Sequence, residues 1–219
     1  MTLTGPNRPA HGGGDATAQV VFLHGYGADG ADLIGLADAL GPHLPHARFF
    51  APNAPERCAV NPAGYQWFPI PHMDGSSAVQ SATALAASVA ALDGWLDALI
   101  ADGPIGPERT ALVGFSQGTM MSLHVAPRRA ASLAGVVGFS GRLLAPERLA
   151  AEVRSRPPVL LIHGDQDEVV PPASSGEAEG ALKSAGFAVT TNVSRGIGHG
   201  IAPDGLGLAL EFLMQHLPN

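Results

Sequence analysis

Residues 111–118 read ALVGFSQG, an apolar run followed by a serine between two glycines. A short Ala/Leu/Val run of this kind indicates a buried strand, and the residues after Gly118 are compatible with a helix as far as Pro127. A serine at a sharp strand-to-helix turn is exposed to an approaching carbonyl, and the glycines let the backbone crowd there without side-chain clashes. The stretch therefore predicts a nucleophile elbow with Ser116 at its apex.

Further apolar segments extend this pattern in both directions along the chain. Strands are predicted at 19–23, 48–51, 135–139, 159–162 and 187–191, and helices at 33–40, 79–99, 173–185 and 204–217. Continuous apolar strands alternating with helices predict a mostly parallel sheet covered on both faces. Residues 18–219 are predicted to form one domain, preceded by residues 1–17 as a mobile N-terminal arm or a short edge element. The Pro/Gly-containing residues 52–75 are predicted to form a long loop, of a length typical of functional or disordered segments.

Composition narrows the range of partners and compartments. The formal net charge is −7, without a basic stripe, which argues against nucleic-acid binding. Cys58 is the single cysteine, so no intrachain disulfide can form, and a reducing compartment is expected. The N-terminus lacks the apolar stretch of a signal peptide, and no run of membrane-spanning length stands out. We therefore expect a cytoplasmic protein without stable membrane insertion.

A nucleophilic serine needs a base and an orienting acid, which in this kind of fold follow it at the carboxyl ends of later strands. Among nine histidines, His199 follows the last predicted strand within a Gly-His-Gly sequence and is the candidate base. Asp165, Asp167 and Glu168 follow the strand before it, and spacing alone does not separate them. Oxyanion donors are expected from the backbone N–H groups of Gln117 and Tyr26.

Other motifs offer competing interpretations. Ser140 also follows a strand, but Arg142 stands where an elbow needs its second glycine. Residues 25–30 match the dinucleotide-binding pattern GxGxxG. The acidic residue that would bind the ribose about twenty positions later is missing, and Arg48 in that region would suit NADP instead. A zinc site at His43 and His46 is disfavoured because no further metal ligands lie nearby in the sequence. A cysteine nucleophile is disfavoured because no elbow sequence surrounds Cys58. A non-catalytic binding module is disfavoured because all three members of a triad are present.

Four motifs in order resemble the phospholipase/carboxylesterase family, which includes bacterial carboxylesterases and acyl-protein thioesterases. They lie at residues 22–27, 114–118, 163–171 and 198–201, and the resemblance extends from about 18 to 215. It implies an α/β-hydrolase fold without a large lid domain, and the hydrolysis of carboxylic esters, thioesters or lysophospholipids. It further implies Asp167 as the acid, no metal or cofactor, and a homodimer.

The same resemblance includes a Trp-Phe motif beside the acyl site, which Trp67 and Phe68 match. Together with Ile70 these residues are predicted to line the acyl side of the site. Because no long apolar lid is present in the sequence, short- to medium-chain esters or thioesters in solution are the expected substrates.

Overall fold

The structure is a computed structural model and describes residues 3–217. Its strands are β1 (Asn7–Arg8), β2 (Ala18–Leu23), β3 (Ala47–Phe50), β4 (Glu56–Arg57), β5 (Tyr65–Gln66), β6 (Thr110–Phe115), β7 (Gly135–Phe139), β8 (Val159–Gly164) and β9 (Val189–Ser194). Seven of them form one sheet in the order β1-β3-β2-β6-β7-β8-β9, in which only the β1–β3 pair is antiparallel. The predicted mostly parallel sheet is confirmed.

Helices connect these strands and cover the sheet. They are α1 (Gly30–Ile34), α2 (Leu36–Leu40), α3 (Pro71–Asp74), α4 (Ala78–Ala101), α5 (Gln117–Val125), α6 (Pro146–Glu152), α7 (Ala173–Ser184) and α8 (Pro203–His216). The helix predicted at 33–40 is two short helices that meet at Gly35, and α6 was not predicted. Helix α4 begins at a capping box, in which Ser77 and Gln80 exchange hydrogen bonds with each other's backbone N–H groups.

Two separate cores lie on the two faces of the sheet. Because side chains alternate along a strand, Val21 and Leu23 of β2 face one core while Val20 and Phe22 face the other. Helices α4, α5, α6 and α7 cover the first face, and α1, α2 and α8 cover the second. Helices on both faces, as predicted, leave the carboxyl ends of the strands as the edge where loops can build a site.

The N-terminal segment is an ordered edge of the sheet within the described residues. Leu3 is buried in the first core, and β1 pairs with β3 through Asn7 and Arg8. The N–H of Ala51 donates to the carbonyl oxygen of Pro6, which continues this attachment. The expectation of a mobile arm is therefore corrected in favour of the short edge element, and residues 1–2 of the arm lie outside the described residues. The domain expected over 18–219 likewise includes two residues, 218 and 219, that are not described.

Residues 52–75 contain regular secondary structure and are hydrogen-bonded to the loop after β2. They contain the small hairpin β4–β5 and end in α3. The backbone N–H of Gly27 donates to the Tyr65 carbonyl, and the N–H of Tyr65 donates to the Ala28 carbonyl, so the hairpin is tied to the loop after β2. No large lid domain is present among residues 3–217.

Helix α4 corrects one statement drawn from the sequence. An 18-residue window of this 24-residue helix reaches a mean hydropathy of 1.5, so one helix is long and apolar enough to cross a membrane by length and composition alone. Alanine raises the hydropathy of this helix although it contributes little apolar bulk. Its larger residues Leu92 and Leu96 are fully buried in the first core, although only 22% of the 18-residue window is buried.

Candidate active site

Ser116 stands at the strained turn between β6 and α5. Its backbone has φ 54° and ψ −114°, a conformation that costs about 1–3 kcal/mol for a residue other than glycine. The turn is held by the Ser116 N–H, which donates to the Phe139 carbonyl of the neighbouring strand. A Cβ atom at Gly118 would lie 1.8 Å from the Leu23 carbonyl oxygen, so only glycine lets α5 start this close to β2. This is the geometry of the predicted nucleophile elbow.

The loop after β2 is organised by the buried side chain of His24. Its Nδ1 lies 2.8 Å from the Gly25 carbonyl oxygen, and its Nε2 accepts the N–H of Ala54 at 2.9 Å. The Nδ1–H tautomer satisfies both contacts. Burial is the main reason why the pKa of His24 lies below its usual value, which keeps the ring neutral. The Gly25 carbonyl and the Tyr26 N–H belong to one trans peptide and point in opposite directions. Because the carbonyl is hydrogen-bonded to the His24 ring, the Tyr26 N–H points away from that ring.

Asp167 and His199 are joined directly. His199 Nδ1 lies 2.8 Å from Asp167 Oδ2, and the N–H groups of Val169 and Val170 donate to Asp167 Oδ1 at 2.9 Å each. His163 Nε2 lies 3.2 Å from Oδ2 on the other side. Burial disfavours the charged carboxylate, but the hydrogen bonds from His199, Val170 and Val169 outweigh it, and the pKa of Asp167 lies below its usual value.

The other two acid candidates lie elsewhere. Asp165 is exposed and accepts the N–H of Gly196 at 2.6 Å, which anchors the loop that carries His199. Glu168 is exposed, with no hydrogen bond or ion pair to any residue between 3 and 217. Geometry thus separates the three candidates that spacing left open, because only Asp167 contacts His199.

These groups meet in a cleft of about 340 Å³ at the carboxyl ends of the strands. Ser116, His199, Tyr26, Gln117 and Ile70 all line it. The ring of Phe115 lies against the His199 imidazole with centroids 4.9 Å apart, which places the imidazole beside the elbow. Across residues 3–217, the backbone N–H groups of Tyr26 and Gln117 have no hydrogen-bond acceptor, so both are free to bind an oxygen in the cleft.

Trp67 and Phe68 do not line this cleft, which corrects the predicted acyl wall. Trp67 is fully buried, and its indole N–H donates to the His24 carbonyl at 3.0 Å. The Gln117 side chain accepts the Trp67 N–H at 3.0 Å and donates to the Phe68 carbonyl at 2.7 Å. Both aromatic residues therefore brace the loops behind the site. The sequence does not distinguish an aromatic residue that contacts a substrate from one that packs against a buried carbonyl.

Sequence reasoning missed Asp74, which ties one wall of the cleft together. Its carboxylate accepts the Tyr26 hydroxyl at 2.9 Å, the Ile70 N–H at 2.7 Å and the Ser76 N–H at 2.9 Å. Partial burial opposes ionisation, yet the hydrogen bonds from Ser76, Ile70 and Tyr26 lower the pKa of Asp74 to about 2. The sequence signal was the Asp-Gly-Ser stretch at the end of α3, which is typical of a turn stabilised by an Asp side chain.

The competing motifs fold into other roles. The N-terminus of α1 is occupied by Asp29, whose carboxylate accepts the N–H groups of Ala31 and Asp32, and this leaves no anion site for a dinucleotide phosphate. His46 Nε2 contacts the Leu217 carbonyl. Among residues 3–217, no group of three or more His, Cys, Asp or Glu residues is arranged to hold a metal ion.

Comparison with known proteins identifies the family. The family model for Phospholipase/Carboxylesterase matches residues 10–217. The chain belongs to the phospholipase/carboxylesterase family. Acyl-protein thioesterase 1 homolog 1 of Dictyostelium discoideum is 29% identical over 92% of each chain. Esterase YpfH of Escherichia coli is 28% identical over 100% of this chain and 88% of its own length.

Solved structures agree with this assignment. The crystal structure of esterase PE8 superposes with a TM-score of 0.93 and 44% identity over 99% of this chain and 100% of its own. Acyl-protein thioesterase 2 of Zea mays superposes with a TM-score of 0.76 and 26% identity over 98% of this chain and 100% of its own. The α/β-hydrolase fold expected from the motifs is confirmed, and this member of the phospholipase/carboxylesterase family is an ester hydrolase.

Proposed function

We propose that the protein cleaves short- to medium-chain carboxylic esters or thioesters through an acyl-enzyme on Ser116, with His199 as base and Asp167 as the acid that orients it. The observation that carries this proposal is the 2.8 Å contact between His199 Nδ1 and Asp167 Oδ2 in the cleft that also holds Ser116. In this arrangement Nδ1 carries a proton and Nε2 is left as the basic nitrogen.

In the acylation step, Ser116 Oγ attacks the acyl carbonyl while His199 Nε2 accepts its proton. The Asp167 carboxylate stabilises the imidazolium that forms, and the free N–H groups of Tyr26 and Gln117 bind the developing oxyanion. The intermediate then collapses, the bond to the leaving group breaks, and His199 returns the proton to the departing alkoxide or thiolate. The acyl group remains on Ser116.

In the deacylation step, His199 removes a proton from water, and the resulting hydroxide attacks the acyl-enzyme carbonyl. The same two N–H groups bind the second oxyanion. Expulsion of Ser116 Oγ, reprotonated by His199, releases the carboxylic acid. No metal or cofactor is needed for either step, since the base and the donors are protein groups.

The walls of the cleft favour a modest acyl chain. Ile70, Met73, Met120 and Val169 supply apolar surface beside Ser116, and Ile70 is the one predicted acyl residue that lines the cleft. At about 340 Å³ the cleft lies near the lower end of the usual range for small-molecule sites. Esters of short or medium chains fit this volume better than long acyl chains, and a lysophospholipid would place its headgroup outside.

Hydrolysis of a p-nitrophenyl ester series from acetate to palmitate, by wild type and Ser116→Ala, tests the proposal. We expect activity that peaks at a short or medium chain and is lost in the variant. Equal rates in the two proteins would overturn it. Cytoplasmic location and a homodimer stay predictions from the sequence, and sedimentation velocity of the purified chain checks the second.

A further inference from the structure

The cleft carries a fixed positive charge that the proposed mechanism does not use. Arg142 lines the cleft beside Ser116 and His199, and no Asp or Glu is among the described residues that line it. The Asp167 carboxylate nearby is shielded, since its side chain has no exposed surface. The Asp74 carboxylate lies behind the lining residues and is engaged by the Tyr26 hydroxyl and by the Ile70 and Ser76 N–H groups. In a chain of net charge −7, Arg142 is therefore the one Arg, Lys, Asp or Glu among the described residues that line the cleft.

The backbone that presents Arg142 is constrained. Ser140 at the end of β7 has φ +48°, and its N–H donates to the Ile162 carbonyl of the next strand at 2.9 Å. A Cβ atom at Gly141 would lie 2.4 Å from Thr119 Cβ and 3.1 Å from the Ser116 carbonyl oxygen. The chain therefore passes directly over the nucleophile elbow before it reaches Arg142. Strained backbone of this kind is typical of functional sites.

The Arg142 guanidinium is free to bind. It is exposed, and it forms no hydrogen bond or ion pair with any described residue. Arg128 and Arg129, by contrast, are paired with Glu152 and with Asp93 and Asp97. Glu177 borders the adjoining hollow that Arg142 also lines, but no ion pair within 4.0 Å joins the two. All five N–H donors of Arg142 are thus available, in a planar fork that matches a carboxylate.

We propose that Arg142 is a specificity-determining residue that binds a carboxylate on the substrate, so that the enzyme prefers esters or thioesters with a second, anionic end. This inference rests on the proposed function of Ser116. The carboxylate can belong either to the acyl part or to the leaving group, because the charge of Arg142 acts at the mouth shared by both.

Matched ester pairs that differ only in charge test this inference. On the acyl side, monoethyl adipate is compared with ethyl adipamate, in which an amide replaces the carboxylate. On the leaving-group side, 3-carboxyphenyl butyrate is compared with 3-carbamoylphenyl butyrate. The readout is the ratio of kcat/KM for the acid to kcat/KM for the amide within each pair.

Wild type is expected to prefer the acid in at least one pair, and Arg142→Ala to lower that ratio about tenfold, as for loss of a charge-assisted hydrogen bond. Arg142→Lys should retain part of the preference, since it keeps the charge without the fork. Arg142→Glu should invert it, and added salt should weaken it in wild type. Which pair responds identifies the side of the ester that carries the carboxylate.

Arg154→Ala is the matched control, because Arg154 is exposed, precedes β8 at the opposite end of the strands, and changes net charge equally. It should leave both ratios at the wild-type value. If both ratios are the same in wild type and Arg142→Ala while the ester bonds of the two carboxamide-bearing substrates are still hydrolysed, the role proposed for Arg142 is wrong and the proposed hydrolase activity stands. If wild type and Ser116→Ala hydrolyse the ester bonds of the uncharged, carboxamide-bearing substrates at equal rates, the proposed function itself is wrong.

Discussion

Asp167 is held in a shell of donors that a single atom change can disrupt. Two backbone N–H groups and His199 donate to a carboxylate that solvent does not reach. His163, which is 2% exposed, closes the remaining side. This shell keeps the carboxylate ionised and fixes its orientation, so its partner His199 has a defined tautomer.

The substitution Asp167→Asn tests that role. The side-chain amide presents N–H where His199 needs an acceptor, which favours the wrong imidazole tautomer, and we expect kcat on p-nitrophenyl butyrate to fall by about 10⁴. The matched variant Asp165→Asn keeps an oxygen for the Gly196 N–H and should remain close to wild type. A large loss in Asp165→Asn with activity retained in Asp167→Asn would contradict the assignment of the acid.

At the scale of elements, helix α3 and the turn after it form a wall of the cleft, which the Asp74 side chain ties to the loop after β2. Asp74 accepts hydrogen bonds from Ile70 before the helix, from Ser76 after it, and from Tyr26 on the opposite loop. A four-residue helix has little stability of its own, so these contacts define its position. Ile70, His72 and Met73 of this segment line the cleft.

Removing the hydrogen bonds of the Asp74 carboxylate should weaken substrate binding more than it slows the chemical step. We expect Asp74→Ala to lower kcat/KM on p-nitrophenyl butyrate about tenfold, chiefly through KM, because three donors lose their acceptor. Tyr26→Phe removes only one of the three hydrogen bonds and should have a smaller effect. Steady-state kinetics of the two variants decide the point, and an unchanged KM in Asp74→Ala would show that the wall stays in place without the carboxylate.

At the scale of the whole molecule, one buried and two partly buried histidines couple folding to pH. Burial lowers the pKa of His24 and His216, and burial together with the charge of Arg128 lowers the pKa of His124 to about 4. The unfolded chain takes up protons near pH 6.5, whereas these folded sites resist them. The stabilisation they provide is therefore complete above pH 6.5 and is lost as the pH falls toward 4.

Urea unfolding at a series of pH values from 7.5 to 4.5 measures this dependence. We expect the free energy of unfolding to decline below pH 6.5, and His124→Gln to make the decline shallower because one of the titrating groups is gone. The carboxylates with lowered pKa, such as Asp167, titrate at still lower pH and leave this window to histidine. A flat profile in wild type would contradict the expectation.

Much of this architecture could be predicted from sequence because its signals are local. The apolar runs at 135–139 and 159–162 became β7 and the start of β8. The order of Ser116, the Asp167 region and His199 places each after a parallel strand, which brings them to one edge. Local signals were strong there because strand, turn and glycine had to agree at the same few residues.

The rest depended on contacts between distant residues. Asp165 and Asp167 differ by only two positions, and the choice between them is made by a histidine 32 residues further along the chain. Trp67 faces a backbone carbonyl of His24, 43 residues away, rather than a substrate. Leu3 enters the core although Gly5 and Pro6 follow it closely in the chain. Periodicity carries no information on such pairings.

The two serines with positive φ, Ser116 and Ser140, end adjacent strands of the same sheet. Their strained backbones cost folding energy at the functional edge of the sheet, and the rest of the fold must offset that energy. Glycine at either position would relieve it, but at position 116 the relief would remove the nucleophile. Directed evolution for heat resistance should therefore find its gains far from this edge, and variants that gain stability at the edge itself should be slower enzymes.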